Sequence, residues 1–101
     1  ALSNGKLSHG QAVGLGLIAT AKISVLKGLL SENKYLLMRN IIRRLGLPIS
    51  VNNIDKRDIL KNLKFDKKGG SFVLIRDIGD VIVNIVVEQN IINQALDEVI
   101  V

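Results

Sequence analysis

The sequence of 101 residues contains no cysteine and no tryptophan, and only one histidine, one proline and one methionine. Without cysteine the chain has no disulfide bonds, no catalytic thiolate and no thiolate ligands for zinc, which favours a reducing compartment. Aromatic residues make up only 3% of the chain. The core therefore has to be aliphatic, and base stacking lacks a platform. A single histidine cannot by itself supply the several protein ligands of a catalytic zinc.

The sequence also lacks a membrane span and a secretory signal. Its most apolar segment, Ala12–Leu26, is shorter than the roughly 20 apolar residues of a span and contains Lys22. The start of the chain lacks the basic-then-apolar order of a signal peptide. We therefore expect a cytoplasmic protein that does not bind membranes. Because the chain begins at Ala1 and not at Met, we also expect it to be either a fragment of a longer protein or a trimmed product.

The residues that are present indicate one globular domain over residues 1–101. Hydrophobic residues make up 48% of the chain and charged residues 23%, which is typical of a folded domain. A chain of this length buries one modest core. The net charge of +5 suits nucleic acid, a phosphorylated small molecule or an acidic partner domain.

The strongest local signal predicts a first helix that begins at Ser8. Ser8 and Gln11 have the spacing of a capping box, and Gly28 is a good terminator for a helix that runs to Lys27. Apolar residues nearly encircle this segment, so we expect it to be the central helix. Its glycines, at positions 10, 14 and 16, would let another backbone approach closely.

A second helix is predicted from Ser31 to Gly46, where Pro48 prevents it from continuing. Helical spacing places four apolar residues inside, which are Leu36, Leu37, Ile41 and Leu45. The same spacing places four polar residues mostly outside, which are Arg39, Asn40, Arg43 and Arg44.

The rest of the chain predicts a mainly α domain with about four main helices and a small β-hairpin. A short helix is expected from Asp55, with Ile59, Leu60 and Leu63 turned inward, followed by a basic loop from Lys64 to Gly70. The hairpin strands are expected over Ser71–Ile75 and Val81–Ile85. A last amphipathic helix is expected over Glu88–Val99, with Ile91, Ile92, Ala95 and Leu96 on one side.

Two motifs are weak. Gly14-x-Gly16-x-x-Ala19 has the letters of a dinucleotide fingerprint, but that motif needs a preceding strand and a helix that opens at the glycines. Here the glycines lie inside a helix, so we reject it. The basic residues of the second motif are Lys56, Arg57, Lys61, Lys64, Lys67 and Lys68. They form either a solvated face, a nucleic-acid patch or, around Asp66–Gly70, a phosphate contact.

His9 stands at the predicted start of the first helix. A lone histidine there is most often structural. The functional alternative is a metal ligand, because the partial positive charge of a helix amino end disfavours imidazolium and a metal needs the neutral ring. The other ligands would have to come from elsewhere.

Three motifs together resemble the 3-dehydroquinate synthase family. The stretch KLSHGQAVGLGLIATAKISVLKGLLS is similar to the family's K-L-L-H-G-E-A-V-x-x-G-M segment. LGLP and then FDKKGGSFVLIRDIG resemble its L-G-L-P followed by D-K-K-x-x-G and a strand that ends in I-G. The order and spacing agree along nearly the whole chain. The resemblance implies the carboxyl-terminal helical domain of a two-domain enzyme, without the NAD-binding domain.

The resemblance also implies a chemistry. Such enzymes convert 3-deoxy-D-arabino-heptulosonate 7-phosphate to 3-dehydroquinate and phosphate in the shikimate pathway, with NAD and a divalent metal, Zn²⁺ or Co²⁺. One glutamate and two histidines hold the metal, and His9 matches the second histidine. Lys67 or Lys68 matches a lysine that contacts the substrate's phosphate side. The departures are Gln11 and Ser8, where the family more often has glutamate and leucine, Gly5 in place of an aromatic, and a shortened loop after Lys68.

The resemblance therefore predicts that the chain alone is inactive and that the intact enzyme is a homodimer that acts on a sugar phosphate, not on nucleic acid. Two alternatives remain at this point. A sister sugar-phosphate cyclase would use another heptulose phosphate. A stand-alone basic helical module would bind nucleic acid with a steep salt dependence.

Overall fold

A computed structural model describes residues 8–52, 54–60, 64–66, 71–77 and 79–100. These residues form four helices and three strands, in the order α1 (His9–Leu26), α2 (Glu32–Arg44), α3 (Lys56–Leu60), β1 (Lys64–Asp66), β2 (Ser71–Asp77), β3 (Asp80–Val86) and α4 (Gln89–Val99). The expected mainly α architecture is confirmed. No helix in the described part of the chain is long and apolar enough to cross a membrane.

The predicted capping box at the start of α1 is present. The Gln11 N–H donates to Ser8 Oγ over 3.1 Å, and the Ser8 N–H donates to Gln11 Oε1 over 2.9 Å. Gln11 thus accepts the hydrogen bond that a glutamate accepts at this position of a capping box, but it adds no negative charge. At the other end, Gly28 has a positive φ of 77°, which confirms it as the terminator.

Helix α1 is the centre of the domain, as predicted. It packs against the other three helices and against β2, and Leu15, Ile18 and Ile23 are almost completely buried. The backbone approach expected at its glycines is not what the structure has at Gly14. An added Cβ there would lie 3.3 Å from Leu47 Cδ1, so the close neighbour is a side chain. At Gly10 there is open space.

The strands form one antiparallel sheet in the order β1-β2-β3. The hairpin is confirmed, with strands slightly longer than predicted and Gly79 at a φ of 80° in its turn. The basic-loop prediction is wrong for residues 64–66, which pair with the start of β2, with Lys64 opposite Phe72. Strand β1 is only three residues long and lies at the sheet edge, where lysine is common. A run of three residues is too short to show the two-residue hydrophobic period of a strand.

The Ser24 hydroxyl joins α1 to the sheet. It donates to the Thr20 carbonyl oxygen over 2.8 Å and accepts the Ile75 N–H of β2 over 2.9 Å. The described residues of β1 pair with β2 at Ser71 and Phe72, near the start of β2 and before Ile75 is reached. Because Ser24 is fully buried, water cannot replace it as the acceptor for Ile75.

Helix α2 faces inward with a different side from the one predicted. Tyr35 and Ile42 are buried and Met38 packs against the core, so residues i, i+3 and i+7 form the inner stripe. The four leucine and isoleucine side chains predicted inside are 45–71% exposed. Arg39 and Asn40 are half-buried instead. The tyrosine ring fixes this rotation, because it is the largest apolar surface on the helix.

The remaining helices largely match their predictions. Ile59 of α3 is fully buried and Leu60 is half-buried, whereas Leu63 lies outside the described residues. Helix α4 buries Ile92, Ala95, Leu96 and Val99. After α4, the chain forms an isolated parallel bridge between Val51 and Ile100.

Tyr35 also binds polar groups from two neighbouring helices. Its hydroxyl donates to Glu98 Oε2 over 3.2 Å, and Lys22 Nζ lies 5.3 Å from the centre of its ring and 3.4 Å from Glu98 Oε1. Burial, followed by the negative charge of Glu98, raises the pKa of Tyr35 to about 12, although Arg39 opposes the shift. Tyr35 therefore stays neutral as a hydrogen-bond donor.

We expect Ser24→Ala to destabilise the domain by about 1–3 kcal/mol, because it leaves the buried Ile75 N–H without an acceptor. Chemical denaturation followed by circular dichroism measures the change in the free energy of unfolding. Ser50→Ala, at a half-buried serine, is the control and should change it by less than about 0.5 kcal/mol. Equal effects of the two variants would contradict the role given to Ser24.

We also expect stability to fall at high pH as Tyr35 ionises. Its pKa in the folded state, about 12, exceeds the value of about 10 in an unfolded chain. The stabilisation is therefore complete below pH 10 and is lost as the pH rises through about 12. Tyr35 is the only tyrosine, so tyrosinate absorbance reports it directly. A midpoint near pH 10 in the folded chain, equal to that in denaturant, would refute the assignment.

Candidate functional site

His9 is the first residue of α1 and is exposed. The capping box between Ser8 and Gln11 fixes the backbone on either side of it. The next residue, Gly10, is also exposed, and an added Cβ there would meet nothing within 4 Å. The capped amino end of the central helix therefore presents an exposed imidazole next to the open Cβ position of Gly10, whereas one side of the helix, with Leu15, Ile18 and Ile23, is buried.

His9 cannot hold a metal ion with the other described residues. The described part of the chain contains no group of three or more histidine, cysteine, aspartate or glutamate side chains that could bind one. The first turn of α1 also has no acidic residue. The imidazole suits zinc or cobalt chemically, but it can supply only one ligand of such a site.

The two predicted phosphate-contacting residues, Lys67 and Lys68, lie outside the described residues. The strands on either side are described: β1 ends at Asp66, and β2 begins at Ser71 beside it. The assignment of a substrate contact to either lysine stays a prediction.

Two other residues of the basic motif are paired with carboxylates. Lys56 Nζ lies 2.9 Å from Asp97 Oδ1, and the Arg57 guanidinium donates to both oxygens of Asp55. These contacts neutralise charge that nucleic-acid phosphates would otherwise use. The glycines of the rejected dinucleotide fingerprint lie within α1, where no strand precedes them.

A second surface feature is an apolar groove of about 340 Å³ between α1, α2 and the hairpin. It is lined by Leu17, Met38, Ile41, Ile42, Leu45, Ile75, Asp77, Gly79 and Val81. Its one charged side chain, Asp77, forms an ion pair with Lys34. Leu45 is 71% exposed and Val81 55% exposed, so the groove leaves a continuous apolar surface uncovered.

Comparisons with known proteins give one consistent result. Residues 1–69 match the family described as 3-dehydroquinate synthase C-terminal. The chain is 34% identical over 99 residues to a 3-dehydroquinate synthase of Crocosphaera subtropica, which covers 93% of the chain and 27% of that relative. It is 38% identical over 90 residues to the enzyme of the same name from Pelobacter propionicus, which covers 84% of the chain and 25% of the relative.

The relatives are much longer than the chain. The match to the Thermoanaerobacter pseudethanolicus 3-dehydroquinate synthase, 33% identical over 88 residues, also covers only 25% of that protein. The chain thus spans about a quarter of the length of the curated relatives it matches.

Because the described residues offer His9 no group of further metal ligands, we expect the 101-residue chain to retain no stoichiometric zinc after dialysis against buffer. Elemental analysis of the dialysed chain and of its His9→Ala variant measures the bound metal. Both should give the same low background. One zinc per chain in the parent, lost in the variant, would show that the chain builds a complete site around His9.

Proposed function

The chain belongs to the 3-dehydroquinate synthase family, in the part that forms the carboxyl-terminal domain, and we propose that it serves the reaction that gives these enzymes their name. In a longer enzyme it would help convert 3-deoxy-D-arabino-heptulosonate 7-phosphate to 3-dehydroquinate and phosphate, in the cytoplasmic shikimate pathway to aromatic amino acids. The observation that carries the proposal is the exposed His9, held at the capped end of the central helix within the matched segment.

His9 is proposed as one of three metal ligands, with a glutamate and a second histidine from outside this chain. The capping box would set the direction from which the imidazole reaches the ion, and the packed α1 would keep that direction constant. When bound, Zn²⁺ or Co²⁺ would act as a Lewis acid toward substrate oxygens. His9 is exposed, and the Cβ position of the neighbouring Gly10 has no described atom within 4 Å, which would leave room for a substrate or a second domain.

The NAD site is proposed to lie in an amino-terminal domain, since the relatives are about four times as long as the chain and the glycines of α1 are not a nucleotide loop. The apolar groove is the surface we assign to contact with that domain. Leu45 and Val81, which line the groove and are exposed in this chain, would become buried by contact with that domain. The intact enzyme is proposed to be a homodimer.

Lys67 or Lys68 is proposed to contact the phosphate group of the substrate. Their place in the FDKKGG motif supports this role, and an ammonium group can bind phosphate as a point charge. Such a contact would help to bind the substrate and to stabilise the leaving phosphate. The two lysines are equivalent candidates.

We expect three variants of the intact enzyme to fail in different ways. His9→Ala should lose bound zinc and turnover together, because a metal ligand is removed. Lys67→Ala or Lys68→Ala, whichever contacts phosphate, should keep the zinc and lower kcat/KM by about tenfold to a hundredfold. The other lysine variant should behave almost as the parent does. Zinc stoichiometry and steady-state kinetics, measured on the same preparations, separate the three.

Two results would contradict the proposal. Full zinc and normal kinetics in His9→Ala would show that His9 is not a metal ligand and that its role is structural. Turnover by the 101-residue chain alone, with NAD, zinc and substrate supplied, would show that no further domain is needed. The exposed Arg57→Ala, in the Asp55 ion pair, is the control for loss of a positive charge and should leave both zinc and kcat/KM unchanged.

A further inference from the structure

Three arginines of α2 differ from the other cationic side chains that the structure describes. Six lysines and arginines lie within 4.0 Å of a carboxylate: Lys22, Lys27, Lys34, Lys56, Arg57 and Arg76. In the described part of the chain, Arg39, Arg43 and Arg44 have no such partner. Uncompensated charge is therefore concentrated on the carboxyl-terminal half of one helix.

Two of these arginines line a concave surface. Arg39 and Arg43 are one helical turn apart and so lie on the same face of α2. With Leu36, Asn40 and Ile49 they enclose a groove of about 210 Å³, here called the arginine groove. Arg44 is not among its lining residues. The groove therefore combines two cationic groups and an amide with two aliphatic walls.

The arginine groove has a hydrogen-bond donor that the described residues leave without an acceptor. The Nε atom of Arg39 is buried and has no hydrogen-bond partner, although a buried donor normally has one. Among the described residues no hydrogen bond engages the Arg39 guanidinium, so its donors are available to an incoming oxyanion. The residue as a whole is only half-buried, so part of it is accessible from the groove that it lines.

Arg43 is oriented by its neighbour Asn40. Its Nη2 donates to Asn40 Oδ1 over 3.3 Å, which restricts the guanidinium before any ligand arrives. The amide nitrogen of Asn40 has no partner among the residues that the structure describes, so it can donate to the same oxyanion. A partly ordered guanidinium loses less conformational freedom when it binds.

We propose that the arginine groove binds a phosphorylated small molecule. The phosphate would lie between Arg39 and Arg43, whose two positive charges match a phosphate monoester near pH 7 and whose planar donor groups suit its oxygens. A short aliphatic part would lie against Leu36 and Ile49. The groove is too small for a nucleic-acid strand and has no aromatic platform. The proposal uses none of His9, Lys67 or Lys68 and is independent of the proposed function.

The test uses the ¹⁵N-labelled 101-residue chain, titrated with inorganic phosphate, butyl phosphate and butanoate at physiological ionic strength. Nuclear magnetic resonance follows the backbone amides of α2 and the arginine Nε–H groups. We expect saturable shifts at Arg39 and Arg43. Butyl phosphate should bind about threefold or more tightly than inorganic phosphate, because its chain buries apolar surface. Butanoate should bind more weakly than butyl phosphate, because it carries one charge fewer.

Two matched variants separate a site from general attraction to positive charge. Arg43→Gln should weaken butyl phosphate binding by about tenfold or more, since a charge-assisted contact is lost. Arg44→Gln removes the same charge from the next residue, outside the groove, and should weaken it by less than about threefold. Thermal melting of both variants confirms that the fold is retained, which is expected because both side chains are exposed.

Four results would overturn the proposal. The first is no saturable shift with any of the three anions. The second is an equal loss in Arg43→Gln and Arg44→Gln, which would indicate unspecific attraction. The third is equal affinity for inorganic and butyl phosphate, which would remove the role of the aliphatic walls. The fourth is binding of butanoate as tightly as butyl phosphate, which would remove the preference for phosphate.

Discussion

The burial of α1 is the constraint on which the rest of the domain depends. Three helices and β2 surround its body, and the Ser24 hydroxyl links it to the sheet by accepting the Ile75 N–H. A helix enclosed in this way can neither rotate nor shift along its axis without opening the core. His9 lies at the exposed amino end of this packed helix, so the packing of the whole domain determines where His9 lies. The capping box then fixes the backbone of the first turn of α1, which carries the ring.

Most of the architecture follows from local signals in the sequence, because those signals act through the backbone. Ser8 with Gln11, Gly28 and Gly46 set the helix ends through hydrogen bonds and allowed torsion angles, and these work in the same way in any tertiary setting. The hairpin follows from β-branched residues around a glycine turn. The position of His9 was predictable for the same reason, since it depends on the cap.

What the sequence could not predict depends on packing between elements. Helix α2 has apolar residues on two sides, and only contact with α1 and α4 decides that Tyr35 and Ile42 face inward while Leu45 does not. The same rotation brings Arg39 to a half-buried position, so the arginine groove could not be located from spacing alone. Strand β1 forms because the edge of β2 is available to it, which is a property of the neighbour and not of Lys64–Asp66.

The central claim is that His9 supplies a ligand to a metal shared with another part of a longer enzyme. A crystal structure of that enzyme, with anomalous diffraction recorded at the zinc absorption edge, tests it most directly. The account predicts a zinc peak about 2.0–2.1 Å from a ring nitrogen of His9, with its other protein ligands outside this chain. A fully occupied zinc site from which the His9 ring is absent would contradict it.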